Sequence, residues 1–254
     1  MIGNIRGTSL VELSIAMLVG SLVISAAFQT HRYISRSADR ENTKALLQRD
    51  ICTISQFIEK DIRMAGLGLP GNGIEPQIVA NTNHELSIYM NEKGKVSTLS
   101  GSASSNDLSL LIQDASGMNA NGWICVSGAA GTIYKEILGI GNSATGPDTI
   151  YLGEQLGAGP FGIDSKVYFA KRIHYSVVNF PETGFLRRVN GLETSLSAII
   201  DSVKITLRDS LGNIVNNSPA SAAFLSVMFG GKVGSGNNTS FLAESTEVNI
   251  RNKK

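Results

Sequence analysis

Residues 6–28, RGTSLVELSIAMLVGSLVISAAF, decide how the rest of the chain is read. Positions 8–28 hold 21 residues and a single charge, Glu12. A helix of that length, at about 1.5 Å per residue, measures about 30 Å, the thickness of a bilayer's hydrocarbon core. A carboxylate in such a segment is unfavourable, by about 2.5–3.5 kcal/mol at the membrane centre and by less toward the end. An ordinary secretory signal needs a charged start, a short apolar run and a small-residue cleavage site. Ser25, Ala26 and Ala27 supply such a site, but that reading leaves Glu12 without a purpose. Basic flanks do not resolve the orientation, since Arg6 precedes the segment while Arg32, Arg36 and Arg40 follow it.

Composition narrows the remainder. The chain has 254 residues, 42% of them hydrophobic, enough for a core beyond the apolar segment. A formal net charge of +1 gives no basic surplus for nucleic acid and no acidic solvating tail. Charged residues make up only 17%, and Gly, Ser, Asn and Thr cluster between apolar runs, a composition of β-rich, loop-rich exported proteins. Cys52 and Cys125 are the two cysteines, open either to one bridge in an oxidising compartment or to two thiols acting as small hydrophobes.

The helical pattern continues past the apolar segment. Leu47, Ile51, Ile54, Ile58 and Ile62 recur at helical spacing, and Gly66, Gly68 and Pro70 end the run. Residues 29–44 are largely polar and open to fraying or bending. Gly66, Gly68 and Gly71 fit G-x-G-x-x-G, but the dinucleotide fingerprint must follow a strand and open a helix, whereas this one closes a helix. Beyond residue 72, short alternating runs predict antiparallel strands at 85–90, 107–112, 123–127, 132–138, 149–152, 166–180, 185–189, 199–207, 222–229 and 247–251. Loops are expected at 97–106, 139–147 and 230–240.

No catalytic constellation emerges. His31, His84 and His174 lack zinc-peptidase spacing, no G-x-S-x-G elbow occurs, and the cysteines form no C-x-x-C pair. The expectation is no enzyme activity, no cofactor and no metal. Asp61 and Arg63 read as solvated helix charges, with pairing to a neighbouring subunit as the alternative.

Residue Gly7, followed by Thr8 and by Glu12 five positions after the Gly, resembles the leader junction of type IV prepilins. That resemblance implies an α+β, type IV pilin-like fold with a long N-terminal helix packed on an antiparallel sheet. It implies a leader at 1–7, cleavage between Gly7 and Thr8 by a prepilin peptidase, and N-methylation of the new Thr8 amine. Residues 8–28 then form a transmembrane and filament-core helix, 29–66 an amphipathic extension, and 67–254 a periplasmic β-rich domain. Glu12 would set assembly register by pairing with the Thr8 amine of a neighbouring subunit. The chain departs from the usual pattern at Thr8, where most prepilins have Phe, and at Gln29, where major pilins often have Pro. The stretches IEKDIRMAG (58–66), NDLSL (106–110), GWICVSG (122–128) and STEVNIRN (245–252) are similar to PilW-type minor pilins. The expected role is a minor pilin in type IV pilus priming or at the tip. Its expected partners are other minor pilins, the major pilin and the inner-membrane assembly platform. A J-type pseudopilin of type II secretion is the alternative within the class. A signal-anchored periplasmic binding or adhesion domain is the alternative outside it.

Overall fold

The computed structural model describes residues 10–70, 74–79, 82–178, 184–198, 200–215, 223–233 and 240–250, with backbone alone in part of them. The chain divides into two compact units, residues 1–46 with 233–240, and residues 47–232 with 241–254. It is an α+β protein, one long N-terminal helix followed by antiparallel sheet.

Helix α1 runs from Leu10 to Met64. Residues 29–44, open to bending by composition, are helical throughout. In the first unit α1 is exposed on all sides along 10–46. In the second unit its character changes. Leu47, Ile51, Ile54, Ile58 and Ile62 are all buried, so the predicted stripe is the buried face, and one-sided burial begins at Leu47. Gly66 and Gly68 then take φ values of 72° and 66°, the left-handed region that ends helices. Gly66 N–H donates to Tyr89 O (2.9 Å) and Asn91 N–H to Leu67 O (2.8 Å). The G-x-G run thus terminates the helix and seats it on a strand end. Gly71 lies outside the described residues.

The strands are β1 (Ile74–Val79), β2 (Thr82–Met90), β3 (Val96–Thr98), β4 (Ser109–Ile112), β5 (Trp123–Gly128), β6 (Gly131–Gly141), β7 (Asp148–Leu152), β8 (Lys166–Val178), β9 (Gly184–Val189), β10 (Leu192–Ser197), β11 (Ile200–Arg208), β12 (Phe224–Val233) and β13 (Ser240–Asn249). Each predicted run coincides with a strand. The predicted positions 179–180, 199, 222 and 251 fall outside the described residues. Three strands, β1, β3 and β10, were not expected. The hairpin β9–β10 turns on Asn190 and Gly191, both at positive φ, which is the two-residue turn that matches strand twist.

Strand β8 organises the sheet. Its N-terminal half pairs β3 on one side and β5 on the other. Its C-terminal half pairs β2 and β9. From β5 the pairing continues through β6 and β7 to β4. The circuit closes where Leu99, just after β3, bridges Ile112 of β4, with Gln113 N–H donating to Thr98 O at 2.9 Å. Alternate residues point inward, and Leu110, Ile124, Val126, Ile150, Phe161 and Val167 fill this small closed barrel. The expected loop at 97–106 is therefore part of the barrel. It contains β3, and its Ala103 exchanges backbone hydrogen bonds with Phe161 at 2.9 and 2.8 Å. The other two expected loops are shortened, because β6 extends to Gly141 and β12 to Val233.

The other half of β8 belongs to a sheet with β1, β2, β9 and β10. A separate sheet, β11-β12-β13, packs through β11 against β2, β8 and β9. Phe185 of β9 joins the two sheets, stacked on Tyr175 at 5.8 Å and edge-on to Phe229 of β12 at 5.8 Å.

Candidate functional site

Two features stand out, one in each unit. The first is the apolar stretch of α1 at 10–28. It is the one helix among the described residues long and apolar enough to cross a membrane, with a mean hydropathy of 2.1 over its apolar window and none of that window buried. Leu10, Val11, Leu13, Ile15, Leu18, Leu22 and Phe28 are all more than half exposed. A helix apolar around its whole circumference suits lipid or the interior of an assembly. Hydroxyls in and just after it bond back to the helix. Ser14 Oγ donates to Leu10 O (2.9 Å), Ser21 Oγ to Leu18 O (2.8 Å) and Thr30 Oγ1 to Ala26 O (2.9 Å). These three hydroxyls thereby lose little on leaving water.

Glu12 sits in the first turn of α1. A carboxylate there is favoured by the positive end of the helix dipole. Gly7 and Thr8, the expected cleavage and methylation positions, lie outside the described residues. His31 is exposed on α1, and His84 is not described at the side-chain level.

The second feature was misread from sequence. Asp61 is not a solvated helix charge but is 2% exposed. Its Oδ2 accepts from Tyr175 Oη (2.5 Å), Arg187 Nε (2.9 Å) and Arg187 Nη2 (2.9 Å). Arg187 Nε also donates to Tyr175 Oη at 3.3 Å. The group ties α1 to β8 and β9. Burial, then the Asp61 charge, pushes the Tyr175 hydroxyl above its ordinary value, so it stays a donor. Arg187 remains cationic beside Asp61. Asp61 was legible in principle, because it falls three residues after Ile58 and seven after Ile54, on the buried stripe. A carboxylate on such a stripe demands partners. Arg63, by contrast, lies on the exposed side and pairs with Glu59. A second tie joins Ser197 Oγ to Asp50 Oδ2 at 2.9 Å.

The bridge left open by sequence is not formed. Cys52 and Cys125 are both free, Cys52 on the exposed side of α1 and Cys125 buried in β5. Burial pushes the Cys125 thiol up to about 12. No group of three or more His, Cys, Asp or Glu among the described residues is arranged to hold a metal ion.

On the sheet face carrying Ser87 of β2, His174 of β8 is buried. Its Nδ1 lies 3.1 Å from Ser87 Oγ and its Nε2 3.8 Å from a Glu85 carboxylate oxygen. Ser, His and Glu in sequence suggest acyl chemistry, but the serine is fully buried and also accepts from Arg172 at 2.9 and 3.1 Å. Burial, followed by Arg172 and Arg188, pushes the imidazole down to about 4. A neutral His and an inaccessible hydroxyl form a structural network.

Comparison with protein-family models, with characterised proteins and with solved structures gives no match.

Proposed function

We propose that this chain is a prepilin-like subunit, a minor pilin taking part in type IV pilus assembly. The observation that carries the reading is the exposed apolar stretch of α1 with one carboxylate, Glu12, in its first turn, followed on the same helix by a stripe buried under a β-rich domain. A plain anchor needs no acid there, whereas a subunit that packs side by side can use one. Cleavage after Gly7 would create a cationic amine at Thr8, with an ordinary pKa of about 8. Glu12 of an adjacent staggered subunit would pair with it, and leaving either charge unpaired in low dielectric is costly. The β-rich domain then lies in the periplasm, and the apolar helices bundle as subunits leave the inner membrane. The partners in this scheme are prepilin peptidase, the other minor pilins, the major pilin and the assembly platform.

The test is the mature N-terminus, read by mass spectrometry from membrane and sheared-filament fractions. The expected chain begins at N-methyl-Thr8 and occurs in both fractions. A chain beginning near Gln29 means a removed secretory signal and ends the reading. Retained pilus phenotypes in Glu12→Ala would remove the register role and favour a signal-anchored periplasmic domain.

A further inference from the structure

The two turns of α1 that follow its apolar stretch carry arginine and no acid. Arg32 and Arg36 fall there, and the first carboxylate after the stretch is Asp39. Both arginines are exposed, and neither has an ion-pair partner among the described residues. They are four residues apart, so they leave the same face of the helix one turn apart. Like charges at that spacing repel and weaken a helix. Arg40 and Lys44 extend the row at the same interval. An anion laid against such a row relieves the repulsion, and guanidinium forks match the paired oxygens of a phosphate.

Position selects the anion. With 10–28 across a bilayer, Arg32 stands about 6 Å and Arg36 about 12 Å beyond Phe28 along the axis, at about 1.5 Å per residue. The headgroup layer on one side of a bilayer is about 5–7 Å deep. Arg32 therefore lies level with the lipid phosphates. Arg36 stands about 5–7 Å above that layer, within the Debye length of about 8 Å. Its Cα–Cβ bond tilts toward the helix N-terminus, which is toward the membrane, and its long side chain reaches that way. The acids Asp39 and Glu41 begin about 16 Å beyond Phe28, outside that range.

Tyr33 marks the same level independently. Its side chain is exposed, at 76%, in the turn between the two arginines. A tyrosine just past an apolar span is the usual amphipathic anchor at a membrane–water interface. Thr30 does not compete for a headgroup, since its hydroxyl is committed to Ala26 O at 2.9 Å.

We infer that Arg32 and Arg36 clasp the phosphate of an anionic phospholipid where α1 leaves the bilayer. The inference rests on residues 10–28 spanning a membrane and is independent of the pilus assignment. It gives the segment after the span a task of its own, holding the helix at one depth and one rotation, because both charges lie on one face.

The test uses the full chain in nanodiscs of phosphatidylcholine with a minority of phosphatidylglycerol. Electron spin resonance of spin-labelled lipids compares how strongly each associates with the protein. The expected result is a preference for phosphatidylglycerol of about fivefold, the share of one fully engaged basic residue. Arg32→Gln combined with Arg36→Gln should abolish it, while Lys44→Gln, about 24 Å beyond Phe28, should leave it intact. Glutamine keeps helix propensity, so circular dichroism should be unchanged in both variants. Flotation of the chain with liposomes after an alkaline carbonate wash checks the span separately. A chain that fails to float has no membrane span, and this inference falls with that reading. A chain that floats but associates equally with the two lipids, or keeps its preference in the double variant, overturns the clasp alone and leaves the arginines to an acidic protein partner. Loss of the preference on adding inorganic phosphate would mean a site for free anions and would also overturn it.

Discussion

The hydroxyl of Tyr175 donates a 2.5 Å hydrogen bond to Oδ2 of Asp61, joining residues 114 positions apart in the chain. The same oxygen takes both nitrogens of the Arg187 fork at 2.9 Å. A buried carboxylate of this kind is tolerated because every donor around it is aimed at the charge. Removing one member is thus worse than replacing the set. Asp61→Ala should cost about 3–5 kcal/mol and Tyr175→Phe about 1–2 kcal/mol, by urea unfolding of the detergent-solubilised chain. Asp61→Leu combined with Arg187→Met should be more stable than Asp61→Ala alone. Equal stability of Asp61→Ala and wild type would mean that the tie contributes nothing.

Acid should weaken the fold in a window set by His174. Its folded pKa is pushed down to about 4 from 6.5, chiefly by burial and then by Arg172 and Arg188. Between those values the unfolded chain binds the extra proton, so stability is full above pH about 6.5 and falls as pH falls toward about 4. The full loss from this one group is about 3 kcal/mol. Urea midpoints measured from pH 7 to pH 4 should fall less steeply in His174→Gln. Asp114 and Asp209, both held below the usual carboxylate value by hydrogen bonds, act only at lower pH and leave this window to His174.

Thiol labelling should distinguish the cysteines. Cys52 is exposed, while Cys125 is buried and its thiol is pushed up to about 12. The thiolate is the reactive form, so iodoacetamide at pH 8 should modify Cys52 alone in the folded chain and both in urea. Peptide mapping by mass spectrometry reads the result. Two labels under native conditions would place Cys125 on an accessible surface.

Glycine substitutions should separate the helix stop from the helix body. Gly68 has φ +66°, and an added Cβ would lie 3.0 Å from Asn91 O. Gly68→Ala combines left-handed strain with a backbone clash and should destabilise by about 2 kcal/mol or more. Gly20, within α1, has nothing within 4 Å of such a Cβ. Gly20→Ala should favour the helix by up to about 1 kcal/mol, seen as higher helicity by circular dichroism in detergent.

The strands that were legible are short runs rich in apolar, β-branched and aromatic residues bounded by turn residues, as in SLLI of β4 and DTIYL of β7, whose burial alternates although their polarity does not. The missed strand β10, LETSLS, is exposed along most of its length and shows no such alternation. Its sign was the Asn190-Gly191 turn instead. Strand β3, with three residues, is too short to show a period and is held by pairing to β8 and by the bridge at Leu99. The same local reading treats Asp61 as solvated, since its partners in β8 and β9 are remote in sequence.

What the sequence by itself determines here is local and periodic. It dictates the apolar stretch with Glu12, the buried stripe from Leu47 to Ile62, the glycines that stop the helix, and the alternation that makes strands. Each follows from side chains within a few residues of one another, where helix and strand geometry alone set which face is shared. Only the tertiary structure decides that β8 serves both a closed barrel and a second sheet, that Asp61 is buried against Tyr175 and Arg187, and that Cys52 and Cys125 stay apart. Those features depend on which distant strands become neighbours, and that is settled by the joint burial of apolar surface and the satisfaction of buried polar groups across the whole unit.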